Sequence, residues 1–148
     1  SDLCRHNLTY WRYGDYVGIG PGAHGRLSLG GAKLATRQHS APEVWLARVQ
    51  DHGHATQART PLTWAARRDE LVMMGLRLTE GIGRAAFDRE LGCDVDTALP
   101  ADALADLCAE GLVRLDDTRI AATAEGRRRL NAVLGYLLST ATTTAAVP

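Results

Sequence analysis

From Leu62 onward the apolar residues recur at helical spacing and are interrupted once by an alternating run, and this pattern constrains the fold more than any other feature. Thr63 can cap a helix running to about Leu78, whose second half (Leu71, Val72, Met73, Met74, Leu76, Leu78) is apolar nearly all round. Gly81-Ile82-Gly83 breaks it. A short helix with Phe87 and Leu91 at i and i+4 ends at Gly92. The next begins near Pro100, places Leu104, Leu107 and Cys108 on one face, and stops at Gly111. Leu112 to Leu115, a turn at Asp116-Asp117-Thr118, and Arg119 to Ala122 read as a β-hairpin. Thr123 caps a last helix, with Leu130, Val133, Leu134, Leu137 and Leu138 as its stripe. Three helices, a two-stranded wing and a helix make the order of a winged-helix-like domain over residues 62–138.

The first 61 residues have a different texture, rich in glycine, aromatics and histidine. Tyr10 to Tyr13, then Gly14-Asp15, then Tyr16 to Ile19 reads as strand, turn, strand. Gly25 to Leu29 and Ala32 to Thr36 form a second hairpin, whose Gly30-Gly31 pair supplies the positive φ angles of a tight turn. Ser40 suits the N-cap of a helix, with Pro42 in its first turn and Glu43 completing a capping box. Trp45, Leu46 and Val49 give that helix an apolar edge before Gly53 stops it, and His54 to Pro61 reads as linker. Residues 139–148 read as a disordered tail, and the start at Ser1 reads as an internal one. The class is therefore α+β, with a β-hairpin-rich N-terminal part.

The 148 residues contain no apolar run of about 18, so no membrane span is expected. Cys4, Cys93 and Cys108 lie far apart with no metal spacing, which points to a reducing, cytoplasmic setting. Charge sums to zero, but residues 1–60 hold seven basic and four acidic groups, and residues 61–148 hold ten and thirteen. Neither half is a strong polyanion binder.

Five stretches together resemble one family: His6-Asn7-Leu8-Thr9-Tyr10-Trp11; the run from Gly14 to His24 (GDYVGIGPGAH); Met74 to Gly81 (MGLRLTEG); Glu110-Gly111-Leu112; and Thr123 to Leu138. They are similar to the C-terminal part of HemW-type proteins, relatives of oxygen-independent coproporphyrinogen III oxidase, over residues 4–138. The resemblance implies an upstream radical-SAM barrel, of which residues 1–61 are the end, carrying a CxxxCxxC motif, a [4Fe–4S] cluster and S-adenosylmethionine. It also implies haem or porphyrin as ligand and a haem-acceptor protein as partner. No CxxxCxxC occurs here, so the fragment alone is expected to be inactive as a radical enzyme.

On that resemblance His6 is a candidate axial haem ligand, with Tyr10 and Trp11 packing on the porphyrin; the plain reading is a hydrogen-bonding His6 beside two core aromatics. Cys4 is a second candidate iron ligand without a motif. Gly20, Gly22 and His24 are candidate pocket-lining residues at a close backbone turn. They are no phosphate cradle, because Pro21 removes an amide and no lysine follows. His39, His52 and His54 read as solvated helix-end residues, and Arg127-Arg128-Arg129 as a solvated helix face. The alternative is a winged-helix DNA-binding or protein-interaction module. Its recognition helix, from Pro100 to Gly111, would carry Asp102, Asp106 and Glu110 and no cation, which repels phosphate.

Overall fold

The computed structural model describes residues 5–139, and side chains from Asn7 onward. Cys4, the His6 side chain and the tail beyond Ser139 lie outside the described residues. Two compact units emerge: Ser1–Tyr10 with Gly14–Thr63, and Trp11–Tyr13 with Trp64–Pro148. The fold is mixed α and β with two small antiparallel sheets.

The N-terminal unit is built on strands β1 (His24–Leu29), β2 (Ala32–Gln38) and β3 (Thr56–Pro61), in the order β1-β2-β3. Gly30 and Gly31 have φ of 57° and 80°, the conformation of a two-residue hairpin turn. The segment read as linker supplies β3, which pairs antiparallel with β2 through a register shift at Arg37/Gln38. Thr-Gln-Ala-Arg-Thr-Pro carries no apolar alternation, and a proline suits an edge strand. That is why its strand character was hidden.

The expected Tyr10–Ile19 hairpin does not form. Residues Arg5–Trp11 make helix α1, which ends with Tyr13 at φ 57° and the Gly14 amide donating to the Thr9 carbonyl at 2.8 Å. This six-to-one bond is the Schellman closure, so Gly14 terminates a helix instead of turning a hairpin. Tyr16 instead exchanges both backbone bonds with Arg26, at 2.8 and 2.9 Å.

Helix α2 (Pro42–His52) follows β2. Its N-cap is Ala41, without a side-chain cap bond, so Ser40 and Glu43 form no capping box. Pro42 at N1 sets the start one residue later than expected.

The C-terminal unit runs α3 (Trp64–Gly75), β4 (Ile82–Gly83), α4 (Arg84–Leu91), α5 (Val95–Ala98), α6 (Ala101–Ala109), β5 (Val113–Leu115), β6 (Arg119–Ala122), α7 (Ala124–Arg128) and α8 (Leu130–Ser139). Its sheet order is β4-β6-β5. Ile82-Gly83, read as a break, is a strand paired with Arg119 and Ile120. Helix α3 stops at Gly75, short of Leu78, and the chain tightens through i→i+3 bonds from Arg77 and Leu78.

The stripe read as one final helix is split at Arg129 (φ −111°). Gly126 lies so close to the Leu112 carbonyl that a β-carbon would collide, which pins α7 to the hairpin while α8 runs on to meet α6. The Thr123 cap forms as expected, its hydroxyl accepting from the Gly126 amide at 3.0 Å.

Phe87, Val95, Ile120 and Leu137 are buried at the centre of one apolar cluster with Leu104, Leu107, Val133 and Leu134. Leu112, Leu130, Cys93 and Cys108 pack against its edge.

Candidate functional site

The motif residues fall into two places. Helix α1 turns about 100° per residue, so Tyr10 and Trp11 meet different surroundings. Tyr10 meets Tyr16 edge to face, with ring centres 4.4 Å apart. Trp11 lines a cavity of about 220 Å3 with Leu71, Gly75, Leu78, Gly81 and Ile82. His6 stands one helical turn before Tyr10 on the α1 backbone.

The Met74–Gly81 motif meets the end of HNLTYW at that cavity. Arg12 Nε donates to Glu80 Oε1 at 3.0 Å, and the Tyr13 hydroxyl donates to Glu70 Oε2 at the same distance. Arg119 Nη1 donates to the Glu80 carbonyl at 3.2 Å. Gly81 sits at φ 70°, where a β-carbon would strike the Ile120 carbonyl. These three side-chain pairings span 39, 57 and 68 residues of sequence and have no periodicity, so no local pattern announces them.

The second motif folds as a loop in front of β1. Gly20 and Gly22 have φ of 107° and 71°. The amide of Gly22 donates to the His39 carbonyl at 2.8 Å and that of Ala23 to the Gly20 carbonyl at 3.2 Å. With Pro21 lacking an N–H, these amides are spent on the His39 and Gly20 carbonyls and do not converge on an anion. His24 is exposed at the start of β1. Val17 and Ile19, expected inside a strand, are 63% and 83% exposed. Gly18 packs against the His24 backbone, folding the loop back.

Asp15 ties this loop to the sheet, a role not evident from the sequence. Its carboxylate accepts from the Ser28 amide at 2.6 Å and the Ser28 hydroxyl at 2.9 Å, and lies 3.7 Å from Nζ of buried Lys33. Burial pushes the Asp15 pKa up, but the two Ser28 bonds and the Lys33 charge outweigh it and hold the group below its ordinary value.

The remaining candidates have quieter settings. His54 Nδ1 accepts from the Thr56 amide at 3.3 Å, and His52 closes α2. No group of three or more His, Cys, Asp or Glu suited to a metal occurs among the described residues. Arg128 and Arg129 pair with Glu125 at 3.1 and 2.9 Å, whereas Arg127 Nη1 donates to the Ala122 carbonyl at 2.7 Å. Cys93 and Cys108 are free and partly buried. Burial, with Asp94 and Asp88 nearby, pushes the Cys93 thiol up, against thiolate ligation. The described cysteines therefore do not fit a [4Fe–4S] cluster.

Residues 62–129 match the family described as the HemN C-terminal domain. The chain is 36% identical over 144 residues to the mitochondrial radical S-adenosyl methionine domain-containing protein 1 of Bos taurus, covering 93% of this chain and 32% of that protein. It is 30% identical over 137 residues to the heme chaperone HemW of Escherichia coli, covering 92% and 34%, and 29% identical over 134 residues to that of Bacillus subtilis, covering 90% and 34%. A solved structure of coproporphyrinogen III oxidase (HemN) from Escherichia coli, a radical SAM enzyme, shares the fold with TM-score 0.55 and 20% identity over 83% of this chain and 28% of that one. The chain is homologous to HemW and to radical S-adenosyl methionine domain-containing protein 1, matches the HemN C-terminal domain over residues 62–129, and corresponds to a C-terminal part of these relatives. It spans about a third of the length of the curated relatives it matches.

Proposed function

We propose that this chain is the C-terminal, non-catalytic part of a radical-SAM protein that handles haem or porphyrin, as a haem chaperone or a coproporphyrinogen III oxidase-like protein. The observation that carries the reading is the ordered loop from Tyr16 to His24, which is tied by backbone bonds to Arg26, Gln38 and His39 and leaves Val17 and Ile19 exposed. In this reading residues 1–61 close a barrel supplied from outside this chain. That barrel covers Val17, Ile19 and the exposed Val44 and Leu46 of α2, and carries the cluster and S-adenosylmethionine.

Gly20, Gly22 and His24 line the ligand pocket at that junction. His6 supplies an axial nitrogen to haem iron, and Tyr10, one turn along α1, packs on the ring. Trp11, whose surroundings include Leu71 and Gly75, anchors the motif more than it touches ligand. Residues 62–138 act as a winged-helix-like domain, a reading supported by the order of α3, α4 and α6 and by the β5–β6 wing joined to β4. A nucleic-acid role is disfavoured because Asp102, Asp106 and Glu110 are exposed along and just beyond α6. Free, separated Cys93 and Cys108 agree with a reducing, cytoplasm-like compartment. No helix among the described residues is long and apolar enough to cross a membrane.

Haem titration of the purified chain tests the reading. Enclosure of the ring supplies most haem affinity, so the chain should bind at micromolar strength at best. Its Soret band should move in the His6→Ala variant and stay put in His24→Ala and His54→Ala. An identical spectrum and affinity after His6→Ala would place the ligand elsewhere. The same chain should release no 5′-deoxyadenosine from S-adenosylmethionine under reducing conditions, and a stoichiometric yield would contradict the assignment.

A further inference from the structure

Away from the motif segments, α6 and α8 leave a groove of about 480 Å3 between them. Leu107, Leu112 and Val133 give it an apolar floor, while Asp106, Glu110 and Tyr136 stand on its rim. The charge pattern of that rim is unusual for a helix that serves its own fold. Asp102, Asp106 and Glu110 follow at four-residue spacing, which stacks three exposed carboxylates along one face, neighbours about 6 Å apart. Like charges at this spacing weaken a helix. Glu110 is also the C-cap, where the helix dipole already concentrates negative potential.

Among the described residues little neutralises this face. Arg129, which also lines the groove, is held by Glu125 at 2.9 Å. The Tyr136 hydroxyl donates to Asp106 Oδ2 at 2.5 Å, which orients that carboxylate without cancelling its charge. An apolar trough beside an unneutralised row of anions fits an occupant of opposite design.

We propose that the α6–α8 groove docks a basic amphipathic helix of a partner protein. The partner's apolar stripe lies on Leu107, Leu112 and Val133, and its lysines or arginines, one turn apart, meet Asp102, Asp106 and Glu110. The ring of Tyr136 walls the trough at one end. Nucleic acid and anionic membranes are repelled by the same carboxylates, which leaves a protein as the fitting occupant. This inference is independent of the haem reading and survives if that reading fails.

The test uses the whole 148-residue chain and a synthetic 18-residue fluorescein-labelled peptide with leucines at helical i, i+3, i+4, i+7 spacing flanked by lysines. Fluorescence anisotropy at physiological salt should give a Kd of roughly tens of micromolar, weakening as salt rises. A peptide of the same composition in scrambled order should bind at least about ten-fold more weakly, because it keeps the charge and loses the apolar face. Asp106→Asn/Glu110→Gln should weaken binding of the ordered peptide about ten-fold. Ala132→Arg, at an exposed position lining the groove, should do the same by filling the trough and placing a like charge against the peptide's lysines. All three substituted positions are exposed, and circular dichroism checks that each variant keeps its helix content. Equal binding of ordered and scrambled peptides, or an unchanged Kd in either variant, would overturn the proposal, as would the absence of binding by the parent chain.

Discussion

The C-terminal unit gathers eighteen buried apolar residues into one cluster. The N-terminal unit, among the described residues, buries Ala55 as its apolar contribution, and beyond it Lys33, Thr36 and Gln38. Five of its large apolar side chains, Val17, Ile19, Leu29, Val44 and Leu46, are exposed, and others such as Leu27 and Leu34 are half-buried. Trp45, half-buried in α2, keeps its indole N–H without an acceptor. Two units of one chain can thus both carry paired strands and helices and differ in what stabilises them. Burial of apolar surface contributes about 25 cal/mol per Å2, and a three-stranded sheet needs a covered apolar face to stand independently. The C-terminal unit has that contribution within itself; the N-terminal unit presents its apolar surface for something else to cover.

Substitutions should show this contrast as a gradient. Phe87→Ala, at a fully buried position, should cost about 3–5 kcal/mol in urea unfolding, and Leu134→Ala about 2–5 kcal/mol. Gly81→Ala comes next, at about 2 kcal/mol or more, because the alanine meets both an unfavourable positive φ and the Ile120 carbonyl. Leu46→Ala in α2 should lie within about 0.5 kcal/mol of the parent. A Leu46→Ala cost equal to that of Leu134→Ala would erase the distinction between the units.

Acid should act on a smaller scale and on both units. Asp116 is held below its ordinary value by the Thr118 hydroxyl and amide and by the Arg119 amide, and Asp15 by Ser28 and Lys33. A depressed carboxyl stabilises fully above its unfolded pKa, near 3.9, and loses that contribution as pH falls through the lower folded value. The β5–β6 turn and the Asp15–Ser28 junction should therefore loosen below about pH 4, seen as a local shift of their amide resonances. Asp116→Asn should remove the effect at the turn and leave that at Ser28. Shifts at both places in Asp116→Asn identical to the parent would show that other groups drive the change.

The C-terminal unit was legible because helical stripes end on glycines and the hairpin lies between polar turn residues. What escaped there depended on distant partners: β4 has two residues and exists through Ile120 and Arg119, and the split at Arg129 follows from Gly126 lying on Leu112. Near the start of the chain Tyr10, Trp11 and Tyr13 have strand preferences that lost to a helix closed by the Gly14–Thr9 bond. β3 was invisible for want of apolar residues. The candidate site was legible as motifs and not as geometry. The sequence named Tyr10 and Trp11 as a pair, and the α1 helix parts them. Arg12–Glu80 and Asp15–Ser28–Lys33, which lock the motifs in place, join residues too far apart for any local rule.

Hydrogen exchange across the 148-residue chain tests the central claim most directly. Amides of α3, α4 and α8 should exchange through global unfolding, whereas those of β1, β2 and β3 should exchange at least about 100-fold faster, through opening of a unit that lacks an apolar interior of its own. Protection in β1–β3 equal to that in α3 and α8 would show that the sheet is as self-sufficient as the C-terminal unit, and would contradict the account.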